Sequence, residues 1–122
     1  KKIKKDLFMS VDDLKYLEKK GNIIGLHSHT HPTNLASENF QKQKKEYSLN
    51  YKKLNQILKK PIISVSFPNG SYNQETLRIL KQMKIKIGFR QVMDKDISKI
   101  NISNYEIARV NHSQICQKFK IL

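Results

Sequence analysis

One cysteine, Cys116, stands in 122 residues. It excludes an internal disulfide and assigns no redox compartment. No apolar run approaches the ~20 residues that a helix needs to cross a bilayer, and no signal-peptide pattern is visible. Acidic side chains are scarce: 10 Asp and Glu face 24 Lys and Arg, for a net charge of +14. Arginine is scarcer still, with three (Arg78, Arg90 and Arg109) against 21 lysines. An excess of positive charge suits polyanions. Yet the lysines are spread along the chain, and Arg, the better residue for bidentate contacts to phosphate or guanine, is nearly missing. The charge is therefore read as lysine-rich composition, and nucleic acid is not the expected partner. Apart from those lysines there is no internal repeat and no low-complexity segment. The length suits one domain, residues 1–122, with a small core. Lys1 is not a Met, so a segment upstream is expected, and any export signal would lie there. A cell-envelope or secreted location would follow from such a signal; the sequence itself assigns none, and it leaves the oligomeric state open.

What is present alternates helical and strand-like segments. Lys1 to Lys5 reads as a frayed basic start. Ser10 with Asp13 forms a capping box for a short helix from Val11 to Lys20, with Leu14 and Leu17 on one face and Gly21 as its stop. Asn22 to Leu26 reads as a short buried strand. Ser37 is the expected cap of a long helix reaching about Lys60, with Phe40, Tyr47, Tyr51, Leu54 and Leu58 as its apolar stripe. Ile62 to Phe67 is a β-branched strand, and Pro68-Asn69-Gly70 a tight turn. Asn73 caps a helix through Met83. Ile85 to Phe89 and Glu106 to Val110 are further strands, Asp94 to Asn104 is polar loop, and the segment from Asn111 is unassigned. Such alternation predicts an α/β architecture with parallel strands. Chemistry in these folds gathers at the C-terminal strand ends. Gly25 to Pro32, the Pro-Asn-Gly turn and Arg109 to His112 all follow predicted strands.

Three of the four histidines lie in Gly25-Leu26-His27-Ser28-His29-Thr30-His31-Pro32. Imidazole is the commonest protein ligand for zinc and related metals. His27 and His31 are four apart, so a helical turn would project both rings from one face toward one ion. His29 falls about 200° round that turn and is expected to point elsewhere. A two-histidine site needs a third ligand, commonly a carboxylate, and an open position for water. The segment Phe67-Pro68-Asn69-Gly70-Ser71-Tyr72 could offer backbone N–H groups to a developing oxyanion. His112 has the chemistry of a general acid.

The order of these elements resembles the polysaccharide deacetylase family, the NodB-homology or family 4 carbohydrate esterases, over roughly Leu7 to Val110. His27-Ser28-His29-Thr30-His31-Pro32 looks like the family's His-Ser/Thr-x-x-His-Pro metal motif. Phe67-Pro68-Asn69-Gly70-Ser71-Tyr72-Asn73 is similar to its aromatic-x-Pro-aromatic-Gly-x-Tyr segment, with Asn69 in place of an aromatic. Ile107-Ala108-Arg109-Val110 looks like its Ile-Pro-Arg-Ile, with Ala108 in place of proline. The resemblance implies a partial (β/α) barrel and a divalent metal, expected to be zinc, held by His27 and His31. It implies an oxyanion contact from the amide near Asn69, and substrate contacts from Pro68, Gly70, Tyr72 and Arg109. The implied reaction removes N- or O-acetyl groups from a polysaccharide or oligosaccharide.

One departure stands against these matches. The family's Thr-Phe-Asp-Asp motif, which supplies a metal carboxylate and the general base, lies on an earlier strand. Ser10-Val11-Asp12-Asp13 mimics its letters, but it sits too close to His27 and opens a helix, so Asp12 and Asp13 are read as structural. The chain is thus expected to lack that first strand and to be impaired or inactive alone. Two other readings remain: a non-catalytic carbohydrate-binding remnant of the same fold, and a basic nucleic-acid-binding module.

Overall fold

The computed structural model describes residues 8–91, 103–110 and 112–121. The expected frayed start at Lys1 to Lys5 and most of the loop from Asp94 to Asn104 lie outside the described residues. Helix α1 spans Val11–Lys19. The capping box forms as read: the Ser10 hydroxyl accepts from the Asp13 N–H at 3.1 Å, and the Asp13 carboxylate accepts from the Ser10 N–H at 2.7 Å. Gly21 follows with φ +87°, a conformation open to glycine at no steric cost.

Helix α2 spans Phe40–Leu58. Its cap is Asn39, not Ser37: the Asn39 side chain accepts from the Lys42 N–H at 3.0 Å. Ser37 is instead the last residue of a 3₁₀ turn, Leu35–Ser37, and its hydroxyl donates to the Asn34 carbonyl at 2.9 Å. A side chain committed backward cannot also cap forward. The helix ends where Lys59 turns left-handed at φ 57°, just ahead of Pro61. The apolar stripe is as read. Tyr47 and Leu54 are buried, and Phe40, Tyr51 and Leu58 pack against the core. Burial of a side chain of this size is worth roughly 1.5–3 kcal/mol.

Strand β1 is Ser64–Ser66, helix α3 is Gln74–Gln82, and strand β2 is Ile87–Phe89. The strands pair in parallel, Val65 opposite Gly88. Helix α4, His112–Phe119, closes the described chain. Single parallel bridges extend the sheet on both sides, from Leu26 to Val65 and from Phe89 to Ile107. The four expected segments therefore lie side by side in chain order, but the outer two pair at one residue each. The expectation of a buried strand from Asn22 to Leu26 is corrected: Leu26 is buried, while Ile23 is 72% exposed.

Gln43 ties the helices together. Fully buried, it accepts from the Thr76 hydroxyl at 2.6 Å and donates to the Glu38 carbonyl at 2.8 Å. Both polar ends of the amide are thus satisfied inside the core.

Candidate functional site

Because the paired segments run parallel, their C-terminal ends open on one edge. Leu26 is bonded on both sides of its peptide, N–H to the Ser64 carbonyl at 2.8 Å and C=O to the Ser66 N–H at 2.9 Å. That delivers His27 to the edge with its ring beside β1. Nδ1 of His27 lies 2.7 Å from the Ser66 carbonyl oxygen. A carbonyl can only accept, so Nδ1 is the donor in this contact, and Nε2 is the ring nitrogen left for another partner.

The His31 ring stands next to it. The two ring centroids are 4.9 Å apart with 58° between planes. The route differs from the expected helical turn. Residues 29–30 form a bend, and Ser28 and His31 both adopt left-handed backbone, φ 60° and 56°. The Ser28 hydroxyl accepts from the His31 N–H at 3.1 Å. Four-residue spacing brings the imidazoles together, but through a kinked loop.

His29 departs from the pair. Its N–H donates to Glu46 at 2.9 Å, and its side chain interacts electrostatically with that carboxylate. Among the described residues no group of three His, Cys, Asp or Glu is placed to hold a metal ion. Imidazole nitrogen has the donor chemistry of a metal ligand, and the described residues bring two such rings side by side with no third His, Cys, Asp or Glu joining them.

The second loop is stitched to the first. Asn69 donates from its side chain to the Thr33 carbonyl at 3.2 Å, Ser71 Oγ accepts from the Ala36 N–H at 2.9 Å, and Asn73 donates to the Ala36 carbonyl at 2.8 Å. Asn69 is left-handed at φ 51°, and Gly70 follows at φ 67°. A side chain at Gly70 would press on Gln91, whose Oε1 would lie 2.9 Å from a Cβ. The N–H groups of Gly70 and Ser71 are consumed within the turn, by the Phe67 and Pro68 carbonyls. Among the described residues, the Asn69 N–H has no such backbone acceptor. Pro68 is buried. Tyr72 stacks on Phe67 with centroids 4.3 Å apart, and its hydroxyl donates to Glu106 at 3.0 Å.

Arg109 reaches the same edge from the last bridge. Its Nε donates to the Arg90 carbonyl at 2.7 Å and one Nη to the Ser66 hydroxyl at 3.3 Å. Ser66 is thereby the common neighbour of Arg109 and His27. Among the described residues, no hydrogen bond joins His112 to this network. It begins α4 and its Nε2 faces the Cys116 thiol at 3.3 Å, one helical turn on.

Three participants were missed in the sequence: Glu46, Asn50 and Ser66. Asn50 accepts from the His27 N–H at 2.9 Å. A signal existed for one of them, since Glu46 is the sole acidic residue of the lysine-rich α2.

The family model described as polysaccharide deacetylase matches residues 3–88. No curated protein matches the chain in sequence. Among solved structures, the deacetylase PplD of Streptococcus pyogenes, in complex with acetate, is 19% identical with a TM-score of 0.71; the match covers 89% of this chain and 50% of that one. The deacetylase domain of BpsB from Bordetella bronchiseptica gives 17% and 0.70, over 85% of this chain and 49% of that one. BA3943 from Bacillus anthracis, a CE4 family pseudoenzyme, gives 16% and 0.58, over 62% of this chain and 26% of that one. At these identities the likeness concerns the fold. The chain spans about half the length of the first two.

Proposed function

We propose, from the premise that this chain belongs to the polysaccharide deacetylase family, that it carries the metal-histidine and oxyanion portions of a deacetylase site acting on an acetylated polysaccharide or oligosaccharide. The observation that carries this reading is the His27 ring. Its Nδ1 is committed to a backbone carbonyl, and its ring stands beside the His31 imidazole. Orientation of one ring nitrogen by a carbonyl is the usual support of a metal-binding histidine.

His27 and His31 would hold a divalent ion, with zinc the expected one. When bound, such an ion lowers the pKa of water and polarises a carbonyl. The chain's own groups do the rest. The Asn69 N–H, which has no backbone acceptor among the described residues, would donate to the oxyanion of the acetyl group. Pro68 and Gly70 shape the floor of that turn. Tyr72, held by Phe67 and Glu106, and Arg109, held by Ser66, would line the approach of the sugar. His112 would be the general acid, a role that requires its ring to leave Cys116 for the substrate.

Calorimetric titration of the chain with zinc tests the reading. Binding at one site, lost in both His27→Ala and His31→Ala, is the expected result; affinity untouched by His27→Ala refutes it. Since no carboxylate joins the pair among the described residues, acetate release from acetylated chito-oligosaccharides by this chain alone should be low. General-base assistance is worth ~10²–10⁴-fold. Robust metal-dependent turnover would show that another carboxylate serves. The same observation favours a second reading, a carbohydrate-binding domain of this fold without turnover. Saturable binding of the acetylated oligosaccharide, with no acetate release in any metal, would select it.

A further inference from the structure

We infer that Glu46 and Asn50, one turn apart on α2, are positioning residues that hold the loop 27–31 in the one shape that sets the two imidazoles side by side. This rests on the metal-site reading above. The loop has a difficulty of its own making. Ser28 and His31 are both left-handed, a conformation that costs a non-glycine residue free energy and persists only where the surroundings impose it. Its bend also leaves peptide N–H groups with no strand or helix partner, and such groups require acceptors.

Helix α2 supplies them. One Glu46 oxygen accepts from both the His29 N–H at 2.9 Å and the Thr30 N–H at 2.8 Å, and the other accepts from the Thr30 hydroxyl at 2.9 Å. One turn later, Asn50 Oδ1 accepts from the His27 N–H at 2.9 Å. Three N–H groups of the loop, those of His27, His29 and Thr30, are thus gathered on two side chains of a rigid 19-residue helix. Three of these bonds are charge-assisted, about twice as strong as neutral ones. Neither side chain is placed on a ring nitrogen by any of these bonds. Their hold is on the backbone between His27 and His31, so both act through the histidines.

Two measurements on the 122-residue chain separate this from a merely structural role. Exchange of the His29 and Thr30 amide protons reads the loop without any metal. Titration with Co²⁺, followed by its d–d absorption, reads the ligand geometry. In Glu46→Ala both amides should exchange at least ~10-fold faster, and Co²⁺ affinity should fall ~10–100-fold, the usual effect of removing a group that orients metal ligands. Glu46→Gln keeps an acceptor oxygen and should restore most of the affinity. Glu38→Gln, which removes a carboxylate from beside the same helix, should change neither. Unchanged exchange and affinity in Glu46→Ala overturn the inference. So does a loss of affinity that follows the melting temperature with no rescue by glutamine. Failure of the unsubstituted chain to bind Co²⁺ overturns the metal reading instead. In that case faster exchange confined to the Glu46 variants still supports the hold on the loop, and unchanged exchange refutes it.

Discussion

Replacing Gly25 by alanine should both destabilise the fold and disturb the site, because the residue sits where two backbones nearly touch. A Cβ there would lie 2.5 Å from Ser64 Oγ, 3.1 Å from the Ser64 carbonyl oxygen and 3.3 Å from its carbon. Two effects oppose each other. Alanine restricts the unfolded chain more than glycine, worth roughly 0.5–1 kcal/mol in favour of the variant. Overpacking typically costs ~1–3 kcal/mol. The hydroxyl can rotate away. The carbonyl cannot, since it also accepts the Leu26 N–H at 2.8 Å. Overpacking therefore wins, and the net loss should be about 1–2 kcal/mol, a fall in melting temperature of ~4–10 °C for a domain of this size. Thermal unfolding followed by circular dichroism measures it. Gly25→Ala in a Ser64→Gly background should recover only the part due to the hydroxyl, because the backbone contact survives. The His27 ring signals should shift in the single variant, since the displaced peptide leads directly to that ring. A melting temperature within a degree of the parent would refute the close approach of these segments.

Other consequences can be checked separately. Tyr47 is fully buried and its hydroxyl has no hydrogen-bond partner among the described residues; burial, then the Glu46 charge, pushes its ionisation well above the ordinary phenol range. Tyr47→Phe should therefore be neutral or stabilising, by up to ~1 kcal/mol in denaturant titration, and a loss larger than that would show that the hydroxyl is satisfied. Burial alone would raise the Glu46 carboxyl, but the hydrogen bonds from Thr30 and His29, with the His29 charge, outweigh it and hold the group below its ordinary 4.5. A lowered folded value means a contribution to stability that is complete above the ordinary glutamate pKa and is lost as pH falls through the folded one. Protection of the Thr30 amide should collapse across that acid range in the parent and show no such step in Glu46→Gln.

The parts of this fold written in local sequence were legible. Ser10 and Asp13 are three residues apart, and a capping box needs nothing else. The stripe from Phe40 to Leu58 repeats at helical spacing, so its inward face follows from the residues alone. The histidine spacing likewise announced a pair. What failed depended on distant partners. Ser37 and Asn39 are both good caps, and the choice between them turned on Asn34, which captures the serine. Ile23 has the apolar character of a buried strand residue, yet pairing reaches only Leu26. Glu46 stands out locally only as the single acidic residue of α2 and Asn50 not at all, because a hydrogen bond to a loop some 16 to 23 residues earlier exists only once α2 has docked.

Ser66 serves two neighbours with two different kinds of atom. Its hydroxyl, which meets Arg109, belongs to serine and vanishes on substitution. Its carbonyl, which fixes the His27 ring, belongs to the main chain and is present whatever residue occupies the position. A saturation screen at codon 66 would therefore register the arginine contact and stay blind to the histidine one. The proton placement on His27 is insulated from mutation at the residue that enforces it, and it can be lost only by moving the strand.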